Sequence, residues 1–245
     1  MKKSITIIAW ILLLLPGCRL QEKPFTIYSI GDSTMADKKP EVFPETGWCQ
    51  GLGENFEALV ITENHAVNGR SSKSFIDEGR WQVVLDSLKP GDYVFIQFGH
   101  NDEKEYDSTR YTSPFGTYTE NLERFVKETR EKGATPVLFT SIVRRKFGEN
   151  GKLVNTHGDY PAATRKVAQE MNVPLIDLQK LTEEWVNSLD DEPSKKMYLW
   201  TEPNDKFHEG RKDDTHLSVD GAKNVAKLAL EEAKKQNLPF TKHLK

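Results

Sequence analysis

The sequence predicts an α/β domain built around a parallel β-sheet. Short apolar stretches rich in Val, Ile, Phe and Tyr recur along the chain, and stretches of helical periodicity separate them, as in successive βαβ units. The apolar stretches are nearly continuous, which is typical of strands covered by helices on both faces. No linker or repeat interrupts this alternation, so we expect one domain.

Five strands and five helices are expected. The strands are predicted at 25–30, 58–66, 92–98, 135–142 and 173–178. The helices are predicted at 47–56, 75–88, 118–133, 160–172 and 217–236, with Ser218 as the N-cap of the last one. Polar residues and glycines predict a loop or hairpin at 144–159 and a long loop at 190–214.

The N-terminus has the features of an export signal. Two lysines precede an apolar run from Ile5 to Leu15, which is too short to span a bilayer as a helix. The tetrapeptide LPGC, ending at Cys18, resembles a bacterial lipobox, and this resemblance implies cleavage before Cys18 and lipidation of its side chain. An ordinary secretory signal is the alternative. We expect residues 1–17 to be a signal peptide and 18–245 to form an exported, membrane-anchored lipoprotein in the periplasm or on the cell surface.

Charge and cysteine content narrow the classes of partner. Loss of the two signal-peptide lysines would take the formal net charge from −3 to about −5, which disfavours nucleic acid as a partner. Cys49 would then be the only free cysteine, so no intramolecular disulfide is expected. No Cys/His cluster has the spacing of a zinc site, and we expect neither a metal nor a cofactor.

Four polar motifs are expected to meet at one edge of the sheet. Open parallel sheets bind ligands beyond the carboxyl ends of their strands. The motif GDST follows the first strand, NGRSS the second and GHND the third, while DDTHLS is predicted in a loop before the last helix. Each motif alone is more typical of a turn or a helix cap. Their arrival at a common edge is what indicates a functional site.

The side chains of these motifs suit ester hydrolysis. The Ser33 hydroxyl becomes a nucleophile when a base accepts its proton, and His216 is suited to that near neutral pH. Asp213 can orient the imidazole and stabilise its charged form. The backbone N–H groups of Ser33 and Gly69, together with the side-chain amide of Asn101, can stabilise the oxyanion that forms.

At these motifs the sequence resembles the SGNH, or GDSL-like, hydrolases. The match spans nearly the whole mature chain in the family's order and comprises Gly31-Asp32-Ser33, Gly69, Gly99-His100-Asn101-Asp102 and Asp213-Asp214-Thr215-His216. The resemblance implies a flavodoxin-like α/β/α sandwich with strand order 2-1-3-4-5. It also implies that donors, not the nucleophile, follow the second strand, which makes Ser71 and Ser72 weaker candidates than Ser33.

Within this superfamily the motifs look most like those of rhamnogalacturonan acetylesterases. The resemblance implies a serine esterase that deacetylates a pectic polysaccharide through an acetyl-enzyme intermediate. The enzymatic alternatives are an acetylesterase acting on xylan or another glycan and a lysophospholipase-type lipolytic esterase. The non-enzymatic alternative is a glycan-binding surface lipoprotein.

Three residues are candidates for contacts with an acetylated polysaccharide or oligosaccharide. The guanidinium of Arg70 suits pairing with a uronate carboxylate. His100 adjoins Asn101 at the expected site. Trp200 could present a flat face to a sugar ring, although aromatic side chains more often belong to the core.

Overall fold

A computed structural model describes residues 22–245, so the predicted signal peptide and Cys18 lie outside the described residues. Five parallel strands form the central sheet: β1 (Phe25–Gly31), β2 (Val60–Asn64), β3 (Tyr93–Gln97), β4 (Thr135–Phe139) and β5 (Leu175–Ile176). Their order is β2-β1-β3-β4-β5. All five predicted strands are therefore present, in the order that the resemblance implied.

Strand order reverses between β1 and β3. The chain moves from β1 outward to β2, then returns across β1 to build β3, β4 and β5 on its other side. Ile27 of β1 consequently pairs with Thr62 of β2 and with Tyr93 of β3. A crevice opens at such a point beyond the carboxyl ends of the strands, so the fold itself predicts a site after β1 and β3.

Helices cover both faces of the sheet. The seven α-helices of the described residues are α1 (Ser72–Asp77), α2 (Arg80–Ser87), α3 (Thr119–Glu131), α4 (Tyr160–Glu170), α5 (Leu178–Leu189), α6 (Asp191–Ser194) and α7 (Val219–Lys235). None of the helices within residues 22–245 is long and apolar enough to cross a membrane.

Two apolar cores hold the three layers together. On one face, side chains such as Phe75, Trp81 and Phe125 of α1–α3 pack in one buried cluster with Tyr28 and Ile30 of the sheet. On the other face, buried residues of α5 and α7 pack against Ile27, Phe95 and Phe139. Successive β1 residues thus enter opposite cores, as expected for a strand buried on both sides.

Two of the predicted helices, at 47–56 and 75–88, are not continuous helices in the structure, and glycines account for the difference. The segment 47–56 contains only a 3₁₀ turn at Leu52–Asn55. Gly47 lies so close to the backbone of Ala36 that a Cβ would stand 2.1 Å from its carbonyl oxygen, and Gly51 has φ of +79°. The segment 75–88 is divided into α1 and α2, because Gly79 adopts φ of +71° between them.

The prediction of a long loop at 190–214 is wrong. This region contains α6 and an antiparallel hairpin of β6 (Tyr198–Thr201) and β7 (Arg211–Leu217). The β7 sequence RKDDTHL is almost entirely polar, so its strand conformation comes from pairing with β6 rather than from its own hydrophobic pattern. The helix α5 was likewise not predicted. The segment 144–159 contains a single antiparallel bridge between Phe147 and Leu153.

Candidate active site

Ser33 lies in a tight turn directly after β1. The Asp32 carboxylate accepts hydrogen bonds from the backbone N–H of Thr34 at 2.9 Å and from its hydroxyl at 2.8 Å, which is an Asx-type turn. Only glycine fits at position 31, where the turn begins. A Cβ there would clash with the carbonyl oxygen of Gln97 on β3, at a distance of 2.5 Å. The turn leaves Ser33 partly exposed while its neighbours are buried.

His216 and Asp213 lie on strand β7, not in the loop that the sequence predicted. In a regular strand, residues three apart point to opposite faces. The pairing with β6, however, passes from Leu199–Asp213 directly to Tyr198–Leu217, so residues 214–216 form a bulge. This bulge turns the His216 ring back toward Asp213, whose Oδ2 lies 2.8 Å from Nδ1 of the ring.

The three side chains form a continuous hydrogen-bonded chain. Nε2 of His216 lies 2.9 Å from Oγ of Ser33. Oδ1 of Asp213 accepts further hydrogen bonds at 2.9 Å from the backbone N–H groups of Thr215 and His216. Burial alone would raise the pKa of Asp213, but these hydrogen bonds hold it well below its usual range. The ionised carboxylate therefore accepts a hydrogen bond from Nδ1–H of His216. This keeps the proton on Nδ1 and leaves Nε2 unprotonated, so that Nε2 can accept the Ser33 hydroxyl proton.

Gly69 and Asn101 stand in the same cleft as Ser33 and His216. Gly69 has φ of +77° in the turn after β2, a conformation that favours glycine. Asn101 follows β3, and its Nδ2 donates to the carbonyl oxygen of Arg70 at 3.1 Å. An amide nitrogen carries two hydrogens, so the second one is available to the cleft. The four residues line a cleft of about 480 Å³.

A buried lysine that the sequence did not single out joins the turns after β1 and β2. Nζ of Lys38 donates to the carbonyl oxygen of Ser33 at 2.5 Å and to Oδ1 of Asn68 at 2.6 Å. It also pairs with Glu45 at 2.9 Å, and its side chain is only 1% exposed. This contact fixes Ser33 relative to the neighbouring Gly69. In the sequence, a lysine and a glutamate seven residues apart resemble ordinary surface charges.

His100 forms a second, fully buried pair with Asp32. Nδ1 of His100 lies 3.2 Å from Oδ2 of Asp32, and the two side chains are 3% and 0% exposed. Burial lowers the pKa of His100 to about 4, with Asp32 opposing the shift only in part. Burial would raise the pKa of Asp32, but contacts from His100 and Thr34 hold it at about 2. The ring is thus neutral, and its Nε2 has no hydrogen-bond partner among residues 22–245.

The remaining serines near the cleft have structural hydrogen bonds. Asp102 accepts from the Ser72 hydroxyl at 2.5 Å, from the Ser72 backbone N–H at 3.0 Å and from the backbone N–H of Gly99 at 3.1 Å. Ser71 caps α1 by accepting from the backbone N–H of Ser74. Both serines are completely buried, which leaves Ser33 as the serine presented to the cleft.

The structure brings one of the three expected substrate contacts to this cleft. His100 lines it. Arg70 points into a neighbouring depression and pairs with Glu78 at 3.0 Å. Trp200 donates a hydrogen bond through Nε1 to Asp214 at 2.8 Å. Its ring also makes cation–π contacts with Arg145 and Lys195, whose charged groups lie 4.8 Å and 4.4 Å from the ring centroid. Trp200 is thus not among the residues that line this cleft, and its contact with substrate remains a prediction.

Within the described residues, no group of three or more His, Cys, Asp or Glu side chains is arranged to hold a metal ion. Cys49 is a free, buried thiol.

Comparison with known proteins decides the family. Residues 29–223 match the GDSL-like lipase/acylhydrolase family. The chain belongs to this family. It is 41% identical over 227 residues to the rhamnogalacturonan acetylesterase RhgT of Bacillus subtilis, a match that covers 92% of this chain and 96% of RhgT. Membership makes the protein a carboxylic ester hydrolase.

Solved structures share the fold of this GDSL-like hydrolase. The Bacillus subtilis protein YxiM superposes with a TM-score of 0.76 at 27% identity, covering 89% of this chain and 58% of YxiM. Axe2, an acetylxylan esterase of Geobacillus stearothermophilus, superposes with a TM-score of 0.63 at 20% identity, covering 89% of this chain and 96% of Axe2.

Proposed function

We propose that this hydrolase is a serine esterase that removes acetyl groups from a pectic polysaccharide, with rhamnogalacturonan as the expected substrate. The observation that carries the proposal is the hydrogen-bonded chain from Ser33 through His216 to Asp213, beside Gly69 and Asn101 in one cleft. The substrate class rests on the similarity to RhgT over nearly the whole chain.

The first half of the reaction forms an acetyl-enzyme. Oγ of Ser33 attacks the acetyl carbonyl carbon while its proton passes to Nε2 of His216, and Asp213 stabilises the imidazolium. The backbone N–H groups of Ser33 and Gly69 and Nδ2 of Asn101 stabilise the oxyanion. When the tetrahedral intermediate collapses, the bond to the sugar oxygen breaks, and that oxygen takes the proton from His216.

The second half releases acetate. A water molecule gives a proton to Nε2 of His216 and attacks the carbonyl carbon of acetyl-Ser33. The same donors stabilise the second oxyanion. Collapse breaks the bond to Oγ of Ser33, which recovers its proton from the imidazolium, so the enzyme returns to its starting state without a cofactor.

The lining of the cleft favours a sugar over a long acyl chain. Besides the proposed catalytic residues, the cleft is lined by side chains that are all polar or charged: Glu45, Asn68, His100, Lys104, Arg144 and Thr215. Such groups suit the hydroxyl and carboxylate groups of an acidic glycan. A lipid tail would instead require apolar lining. We therefore favour the carbohydrate substrate over the lipolytic alternative.

We also propose that the protein is exported and anchored through lipid on Cys18. The support is the signal-like N-terminal sequence and its lipobox-like tetrapeptide. Mass spectrometry of protein from the native host should find a mature N-terminus at Cys18 carrying acyl chains. An unmodified N-terminus at another residue would disprove the anchor.

A substrate comparison tests the function. Acetate release should be measured from acetylated rhamnogalacturonan, acetylated xylan, and short- and long-chain synthetic esters, with the Ser33→Ala variant as the blank. We expect the highest kcat/KM on the pectic polymer, because binding energy from the sugar chain lowers the barrier further than a small ester can. Preference for xylan would overturn the substrate but keep the mechanism. Preference for long acyl chains would make the protein a lipolytic esterase.

A further inference from the structure

Lys104 places a positive charge beside the proposed oxyanion site. It lies three residues after Asn101 and lines the cleft that contains Ser33. Its Nζ donates to Oδ1 of Asn101 at 2.8 Å. Because the oxygen and nitrogen of one amide are about 2.3 Å apart, Nζ stands within about 5 Å of Nδ2 of Asn101. A sugar whose acetyl group reaches Nδ2 therefore lies next to the ammonium group.

Two Lys or Arg side chains line the cleft, and of these Lys104 is the one without a carboxylate partner within 4.0 Å among residues 22–245. Arg144, the other cation that lines the cleft, pairs with Glu103. Lys38, which donates to the carbonyl oxygen of Ser33, pairs with Glu45. In the adjoining depression, Arg110 pairs with Asp107. A carboxylate that pairs with Lys104 would therefore have to come from a bound ligand.

The electrostatic surroundings of Lys104 also favour an anion. Partial burial lowers the pKa of Lys104 below its usual range, and the charges of Arg110 and Arg144 lower it further. Glu103 and Asp32 oppose this shift to a smaller extent. Glu103 is itself engaged by Arg144 and by His157. A carboxylate arriving at Lys104 would therefore relieve repulsion between cations as well as form its own ion pair.

We infer that Lys104 binds a carboxylate of the substrate, namely that of the uronate residue that carries or adjoins the acetylated hydroxyl. This inference rests on the proposed function and makes it more specific. An acidic glycan supplies the missing partner, whereas a neutral glycan such as xylan leaves the partly buried ammonium without one. Lys104 thereby becomes a residue that discriminates between acetylated acidic and acetylated neutral sugars.

The competing role for Lys104 is to hold the Asn101 amide in position without touching substrate. The two roles predict different selectivity. Loss of a substrate carboxylate contact reduces turnover of acidic substrates specifically. Loss of amide positioning reduces turnover of all acetyl esters equally, because every one of them needs the oxyanion donor.

The experiment uses one substrate in two charge states. Acetylated galacturonate oligosaccharides are compared with the same oligosaccharides after methyl esterification of their carboxyl groups, and kcat/KM is measured for wild type, Lys104→Met and Lys104→Arg. We expect wild type to prefer the acidic form by about 10- to 100-fold, the range of a hydrogen bond to a charged group. Lys104→Met should abolish most of this preference, and Lys104→Arg should keep much of it.

Two further measurements complete the test. Added salt should lower kcat/KM of wild type on the acidic form more than that of Lys104→Met, since screening weakens the ion pair. Lys127→Gln removes one charge from an exposed position on α3 and should leave the preference unchanged. The melting temperature of each variant reports whether it is folded.

The outcomes of this experiment distinguish failure of the inference from failure of the proposed function. If both rates fall in Lys104→Met while their ratio stays, Lys104 only positions Asn101 and the inference is wrong. The inference is equally wrong if wild type deacetylates both forms at the same rate, although the pectic function then stands. Wild type that turns over neither form but deacetylates xylan would overturn both.

Discussion

Two Asp–His pairs flank the same cleft and have different properties. Asp213–His216 lies on the bulged strand β7, with a contact of 2.8 Å and side chains 16% and 26% exposed. Asp32–His100 lies after β1 and β3, with a contact of 3.2 Å and almost no exposure. In both pairs Nδ1 faces the carboxylate. The pairs differ in burial and in what Nε2 faces.

These differences support His216, rather than His100, as the proposed general base. Nε2 of His216 lies within hydrogen-bond distance of the Ser33 hydroxyl, whereas Nε2 of His100 has no partner among the described residues. Burial lowers the pKa of His100 to about 4, so this ring is a weak base at neutral pH. A histidine beside an aspartate therefore becomes a general base only where its second nitrogen meets a nucleophile and its charged form can exist.

The largest expected effect separates the two histidines directly. His216→Ala should lower kcat by roughly 10⁴-fold or more, because the Ser33 hydroxyl loses its base. His100→Gln, which keeps a donor for Asp32, should lower kcat by about tenfold or less, the value of one hydrogen bond. Steady-state kinetics on a small acetyl ester measures both. Equal losses in the two variants would contradict the assignment of the base to His216.

The next effect separates the two aspartates. Asp213→Asn should lower kcat on the order of 10³- to 10⁴-fold, because an amide cannot fix the tautomer of His216 or stabilise its charge. Asp32→Asn should act mainly on stability, since Asp32 organises a buried turn. Kinetics and urea unfolding of both variants give the comparison. If Asp214→Asn were the more damaging change in kcat, the proposed orienting role of Asp213 would be wrong.

A smaller effect tests the donor side of the cleft. Asn101→Ala should reduce kcat by roughly 10²- to 10³-fold with little change in KM, because its amide contacts the oxyanion rather than the ground-state ester. Asn121→Ala is a matched control, since its amide donates to the Ser72 hydroxyl at 3.0 Å away from the proposed oxyanion site. An Asn101 variant with unchanged kcat would remove this residue from the oxyanion site.

The smallest expected effect is a pH dependence of stability. The pKa of His100 falls from 6.5 to about 4 on folding, so between these values the unfolded chain binds a proton that the folded chain does not. Wild type should therefore lose up to roughly 3 kcal/mol of stability from this group as the pH falls from 6.5 to 4. His100→Gln should lack that loss.

Comparing wild type with His100→Gln removes the contribution of Asp102 from that measurement. Burial raises the pKa of Asp102 to about 7, which stabilises the fold as the pH falls over the same range, but it does so in both proteins. Urea unfolding at several pH values gives both curves. Parallel curves would show that folding does not lower the pKa of His100.

The sequence predicts the sheet well because its strands are buried on both faces and therefore apolar throughout. It also predicts that Ser33, Gly69 and Asn101 meet, since residues that follow parallel strands share one edge. It fails at β7, where a polar strand depends on its partner β6 and a bulge sets the orientation of His216. Such features depend on tertiary pairing, which local periodicity does not report.

The buried charges around the site were harder still to predict. In the sequence, the segments that contain Lys38, Glu45 and Asp32 resemble turns and charged surface. These side chains become buried only because loops from distant parts of the sequence pack together. Trp200 has contacts within the fold that the sequence also did not predict. Its aromatic ring suggested a sugar platform, but Asp214, Arg145 and Lys195 engage it within the fold.

The bulged hairpin carries two of the three proposed catalytic side chains close together in sequence, while the third lies far away along the chain. His216 is three residues from Asp213 but 183 residues from Ser33. Backbone hydrogen bonds from Thr46 to Leu217, from Arg145 to Asp214 and from Ser218 to Met197 hold the hairpin in place. Partial opening of these contacts would separate base from nucleophile while the sheet stays folded. On heating, loss of activity should therefore precede loss of the circular dichroism signal, and coincident losses would show that hairpin and sheet melt as one cooperative unit.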